Sequence, residues 1–230
     1  MEVRLASLVD GAASAVGTVV IIDVFRAFTA AALAFARGAR RIVMVDDLDR
    51  ALALRAAGVG DYCIGERHGA KPAGFDFGNS PAELAAAALD GKTLIQTTSN
   101  GTAGINAARG AERIFAGAFV TAEATVQAIL RAAPPVVTLV AMGSVNRGRA
   151  DEDELCALYL RSRLQGRAPD RTALAQLAAS LVPPINSALA ASGDYDPRDR
   201  SLALQIDLVP FAIAVRREAD LLIAEPHADA

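Results

Sequence analysis

Residues 18–23 read T-V-V-I-I-D, and V-F-R-A carries the chain on into the alanine-rich stretch 27–37. An unbroken β-branched run predicts a strand buried on both faces, and the alanine-rich stretch predicts a helix, closed at Gly38 as its C-cap. The same alternation recurs downstream. Strands are expected at residues 41–45, 62–64, 93–96, 113–115, 136–141 and 220–223. Helices are expected at 48–57, 80–89, from Thr102, and at 121–132, 151–163 and 172–180. Residues 202–216 read as one amphipathic helix, and Pro183-Pro184 and residues 193–199 as surface excursions. Buried strands alternating with helices predict an α/β fold: three α/β/α layers, a mostly parallel central sheet and a more helical C-terminal third. No linker divides the chain, so residues 1–230 are expected to form a single domain. The alternative is a minor C-terminal subdomain starting near residue 165.

Composition narrows the function. The 230 residues are 53% hydrophobic and 21% charged, with 23 basic and 26 acidic residues giving a net charge of -3. Without a basic block there is no electrostatic footprint for nucleic acid. Charges at Glu2, Arg4 and Asp10 argue against a signal peptide, and apolar runs break too soon to span a bilayer. A cytoplasmic protein is the expectation. Cys63 and Cys156 read as buried, reduced thiols, and neither is followed six residues later by the arginine of a cysteine phosphatase. Alanine-rich helix faces suit a homo-oligomer.

In such a sheet, ligands bind beyond the carboxyl ends of the strands, so the polar residues there carry the weight. Asp23 ends the first strand and Arg26 follows: a carboxylate for a divalent cation and a guanidinium fork for phosphate, or simply an ion pair at the strand–helix junction. Phe25 stands where a haloacid-dehalogenase phosphatase needs its second aspartate, which removes that class. In G-E-R-H-G (65–69), Glu66 suits a metal or general-base role and Arg67 an anion. Arg67-His68-Gly69 also spells the start of a histidine-phosphatase signature, but the second histidine, His227, sits near the end of the chain. In G-F-D-F-G-N-S-P (74–81), Ser80, Pro81 and Glu83 form a capping box, which leaves Asp76 and Asn79 for function. The turn Gln96-Thr97-Thr98-Ser99-Asn100-Gly101-Thr102 has hydroxyls and amides in excess of what a helix cap needs, with Gly101 free to adopt φ > 0. It suits an oxyanion nest. Asp151-Glu152-Asp153-Glu154 complements a helix dipole, and one of these carboxylates can serve as a metal ligand.

D-V-F-R-A, G-E-R-x-G, F-D-F-G-N-S-P, T-T-S-N-G-T and the acidic helix start together resemble the 2-phosphosulfolactate phosphatase family over roughly residues 18–160. The resemblance implies a magnesium-dependent phosphatase of α/β fold that acts on 2-phospho-3-sulfolactate, a small-molecule phosphate ester, in a step toward coenzyme M. Carried over by position, it points to Asp23, Arg26, Glu66, Arg67, Asp76, Asn79, Ser80, Thr97, Thr98, Asn100, Gly101 and Thr102. The expected mechanism is in-line attack of water on phosphorus, with Mg2+ on Asp23 and Glu66 and with Asp153 or Asp76 as third ligand. Arg26 and residues 97–102 would take phosphate charge, and Arg67 and Asn79 the remote acidic group. An aspartyl-phosphate at Asp23 stays open. The competing readings are a histidine phosphatase using His68 and a non-catalytic module for small anions.

Overall fold

A computed structural model describes residues 1–144, 148–181 and 196–227. The strands are β1 (Glu2–Ser7), β2 (Gly17–Ile22), β3 (Arg41–Met44), β4 (Tyr62–Gly65), β5 (Thr93–Thr97), β6 (Ala111–Gly117), β7 (Val136–Ala141), β8 (Ala212–Glu218) and β9 (Leu221–His227). The helices are α1 (Leu8–Ser14), α2 (Ala27–Ala36), α3 (Leu48–Ala56), α4 (Pro81–Ala86), α5 (Gly101–Ala107), α6 (Ala122–Ala132), α7 (Asp151–Leu164), α8 (Arg171–Leu181) and α9 (Pro197–Ala203). The α/β class with a mostly parallel sheet is as expected, and β2 is buried along its whole length. No helix among the described residues is long and apolar enough to cross a membrane.

All nine strands form one sheet, in the order β1-β7-β2-β6-β8-β9-β3-β5-β4. β1, β7, β2 and β6 pair in parallel, as do β3, β5 and β4. The β8–β9 hairpin joins these sets through three antiparallel pairings, to β6, within itself and to β3. Three reversals in succession make the two parallel sets run in opposite senses. β2 and β5 stand five spacings apart, roughly 24 Å in a flat sheet at about 4.8 Å per strand. Yet residues at their carboxyl ends touch, so the sheet curls. Helix α5 packs on β2, β3 and β6 alike, inside the curl, with α2 against α4 beside it.

Local chemistry sets the element ends. Gly38, at φ 86, closes α2 as expected. Ser80 accepts from the Glu83 amide with Pro81 in the first turn, while the Glu83 carboxylate reaches back to the Gly78 amide at 2.9 Å. The helix ends at Ala86, three residues earlier than expected. Most of the hydrophobic core forms one cluster. A second, of Val43, Val45, Ala51, Cys63, Phe75, Ile95 and Ile223, fills the space under α3.

The C-terminal third differs most from expectation. Residues 202–216 do not form one helix: α9 ends at Ala203 and β8 starts at Ala212. Ala212, Ile213 and Val215 are buried and Ala214 is partly covered, because this segment lies in the middle of the sheet. β1 and α1 had no counterpart in the sequence reading. Residues 197–199 start α9, and Asp199 is fully buried rather than part of a surface excursion. Pro183-Pro184 and residues 193–195 lie outside the described residues.

Candidate active site

Asp23 immediately follows β2 and is 5% exposed. Its Oδ1 accepts from the Ala27 amide at 3.0 Å, and the Gly101 amide also donates to it, so the carboxylate bridges the first turns of α2 and α5. Gly101 is required here by space. A Cβ on it would stand 2.8 Å from Ala27 Cβ and 2.9 Å from Asp23 Oδ2. The positive φ expected for Gly101 is not found, because the demand is for close approach and not for a left-handed turn. Burial pushes the Asp23 carboxyl up to about 7, and the charges of Glu66 and Glu152 add to it against the two amide donors.

Asp153, in the first turn of α7, is 2% exposed. Its oxygens accept from the Val24 amide at 2.8 Å and the Gly143 amide at 2.9 Å, tying α7 to the ends of β2 and β7. Burial raises this carboxyl well above the usual carboxylate range, and the Asp23 and Glu152 charges act the same way. Two buried carboxyls that repel one another are stable as anions only if a cation offsets them, and otherwise one takes up a proton.

Glu66 joins the two loops. Its Oε1 accepts from the Ser99 amide at 2.6 Å, and its Oε2 from Ser99 Oγ at 3.1 Å and the Gly69 amide at 2.8 Å. Ser99, expected only as part of the oxyanion turn, is therefore half of this clamp. Gly65 precedes it at φ 139, where a Cβ would lie 1.8 Å from the Thr97 carbonyl oxygen. Arg67 donates to the Asp46 carbonyl and, at 3.1 Å, to the carbonyl of Glu66, bracing the same loop.

Thr98 and Thr102 cap one another. The Thr98 amide donates to Thr102 Oγ1 at 2.8 Å, the Thr102 amide to Thr98 Oγ1 at 3.1 Å, and Thr102 Oγ1 to the Thr98 carbonyl at 2.9 Å. Asn100 occupies the N-cap position of α5. Among the described residues, Thr97 Oγ1, Gln96 Oε1 and Asn79 Oδ1 are buried without a hydrogen-bond partner. Buried polar atoms are rarely left so, and these are the groups a ligand or water would satisfy.

Two expected residues have other duties. Asp76 accepts from the Cys63 amide at 2.8 Å and pairs with Arg55 at 2.6 Å, which fastens the loop to the start of β4 and to α3. Arg26, 5% exposed, forms a buried ion pair with Asp199 at 2.9 Å and donates to the Gly69 carbonyl at 3.3 Å. Asp199 also accepts from Ser80 Oγ at 2.7 Å and the Ala82 amide at 2.9 Å.

His68 is exposed on left-handed backbone at φ 55, whereas His227 lies on β9, edge-on to Phe115. His68 follows the carboxyl end of β4, and His227 ends β9, which runs antiparallel to the parallel set β3, β5 and β4, so the two histidines stand at opposite ends of these strands.

No three His, Cys, Asp or Glu among the described residues are grouped closely enough to hold a metal ion. The expected set Asp23, Glu66 and Asp153 therefore does not form a cage, since the Glu66 oxygens are turned to Ser99 and Gly69. Asp23 and Asp153 still fit magnesium. They are hard oxygen donors whose amide-bound oxygens keep a second lone pair, and magnesium commonly takes one or two carboxylates, with waters and phosphate oxygens completing its octahedron.

The family model described as 2-phosphosulpholactate phosphatase matches residues 5–196. The chain is 35% identical over 151 residues to a protein of Thermoplasma acidophilum, covering 66% of this chain and 67% of that one. It is 37% identical over 150 residues to one of Bacillus subtilis, 64% of each chain. It is 35% identical over 144 residues to one of Caldicellulosiruptor saccharolyticus, 61% of this chain and 59% of the other. All three bear the name probable 2-phosphosulfolactate phosphatase, and the matched stretch spans at most 67% of their length.

Proposed function

The chain belongs to the 2-phosphosulfolactate phosphatase family, and from that premise we propose that it is a cytoplasmic, magnesium-dependent phosphatase that hydrolyses 2-phospho-3-sulfolactate to 3-sulfolactate and phosphate. The observation that carries the reading is Asp23: a buried carboxyl, raised to about 7, set between the first turns of two helices and next to a second buried carboxyl, Asp153. Buried carboxyls that are costly to ionise alone favour a bound cation, and the helix N-termini beside them favour the phosphate that comes with it.

In this reading Asp23 and Asp153 hold Mg2+. When bound, the ion would neutralise charge on the phosphoryl oxygens and on the attacking water, as phosphoryl transfer requires. The chain's own residues do the rest. The Glu66–Ser99 clamp fixes the loops after β4 and β5 at a constant separation. Thr97 Oγ1 and Asn79 Oδ1 are buried groups left for substrate or its bound water to satisfy. The guanidinium of Arg26, held in place at the β2–α2 corner, supplies positive charge. Asp23 and the Glu66 loop enclose the reacting phosphoryl group, and the leaving hydroxyl takes its proton from water.

Purified protein should release inorganic phosphate from 2-phospho-3-sulfolactate with Mg2+, stop when a chelator is added and recover when Mg2+ is restored. Phosphate release that persists in excess chelator would remove the metal, and no release with any phosphorylated hydroxy acid would remove the activity.

A further inference from the structure

Asp199 lies past the end of the family match, which stops at residue 196. It is fully buried, and its carboxylate is a junction. Oδ2 takes Arg26 Nη1 at 2.9 Å, and Oδ1 takes both Ser80 Oγ at 2.7 Å and the Ala82 amide at 2.9 Å. One side chain on α9, 173 positions from Arg26, thus fastens the β2–α2 corner to the N-terminus of α4. A guanidinium is a rigid plane of donors, so pinning Nη1 on Asp199 and Nη2 on the Gly69 carbonyl sets the direction of the whole group. A carboxylate without exposure, with three donors from two elements that both border the site, is more than is needed to dock a seven-residue helix.

We propose that Asp199 is a positioning residue: it orients Arg26 toward the phosphoryl group and holds the N-cap of α4, with Asn79 beside it, at the working distance. The C-terminal segment, on this view, is part of the active site and not an appendage to it. The inference rests on the phosphatase reading above, and it acts through Arg26, not on the substrate directly.

A double-mutant cycle on the full chain tests it. Asp199→Asn keeps the shape and an acceptor for Ser80 or Ala82 but loses the charge that holds Arg26. It should lower kcat about 10- to 100-fold, with KM moving less than about threefold, because the group is misaimed in the transition state more than in the ground state. Arg26→Ala should lower kcat at least as far, and Asp199→Asn/Arg26→Ala should match Arg26→Ala within about twofold, since one residue works through the other. Effects that multiply in the double variant, or a folded Asp199→Asn protein with wild-type kcat, would overturn the proposal. Should Asp199→Asn not fold, Asp199→Glu carries the same cycle, since it keeps the charge but shifts it.

Calorimetric binding of inorganic phosphate decides the case independently of turnover. If the wild type does not hydrolyse 2-phospho-3-sulfolactate, the substrate assignment fails. Asp199→Asn should even then weaken phosphate binding, by about threefold and only where Arg26 is present. Unchanged phosphate affinity would sink the positioning role.

Discussion

Asp23 shows what a single buried carboxyl imposes on the molecule. Its folded value of about 7 stands above the ordinary range near 4, so folding favours its protonated form. The stability this contributes is present in full below about pH 4 and is lost as the pH rises through about 7. Metal-free protein should therefore melt at least about 4 °C lower at pH 8 than at pH 5, given about 1.4 kcal/mol per pKa unit and about 2–4 °C per kcal/mol at this size. Asp23→Asn should show a smaller difference in the same melts. It should also lose activity by about 100-fold or more, because a neutral amide is a poor magnesium ligand. Equal melting shifts in the two proteins would show that Asp23 does not carry the effect. Glu66 makes a second case. Glu66→Gln turns one of the two acceptor oxygens into an NH2 group, which cannot accept the amide proton of Ser99 or of Gly69 that it faces, at a cost of about 1–3 kcal/mol. Denaturant titration should register that loss.

Among the elements, the T-T-S-N-G-T turn divides its residues between structure and chemistry. Thr98 and Thr102 spend their hydroxyls on one another at the start of α5. Thr98→Val should then cost about 1 kcal/mol of stability while changing turnover less than about threefold. Thr97, whose buried Oγ1 has no partner, should behave in the opposite way. Thr97→Val should leave stability within about 0.5 kcal/mol and slow turnover about tenfold or more. Urea melts and steady-state rates on both variants separate the roles, and a reversed pattern would exchange them. The residue types alone made all these positions equal candidates. What tells them apart is hydrogen-bond saturation, which depends on how the turn closes on itself and on the Glu66 loop.

At the scale of the whole molecule, the β8–β9 hairpin is the seam between two parallel sets of strands that run in opposite senses. Ile223, 1% exposed, pairs with Val43 of β3 and Arg216 of β8. Ile223→Asn would bury an unmatched amide at that seam and should cost about 3 kcal/mol or more. Because the hairpin joins both sets, calorimetry should give one unfolding transition for the wild type, and the variant should lower it as a unit. Two transitions would instead mark the minor C-terminal subdomain as a separate folding unit.

Local chemistry made much of this protein legible from its sequence. The run at 18–22, the serine–proline cap of α4, the glycine that closes α2 and the polar turns after strands act over a few residues, so periodicity and residue type expose them. The same reading brought Asp23, Glu66 and residues 97–102 forward as candidates. It misjudged residues 212–216, because a short run of buried apolar residues suits a helix or a central strand equally until its neighbours are known. Asp76 stood in a motif yet serves as a latch on Cys63 and Arg55, Ser99 was brought forward for an oxyanion yet holds Glu66, and Asp199, which holds Arg26, went unselected. Those roles arise from contacts across tens to more than a hundred positions, which no local pattern encodes. Only tertiary structure decided them: the curl of the sheet brings the ends of β2 and β5 together, and burial then raises the carboxyls of Asp23 and Asp153 above their ordinary range.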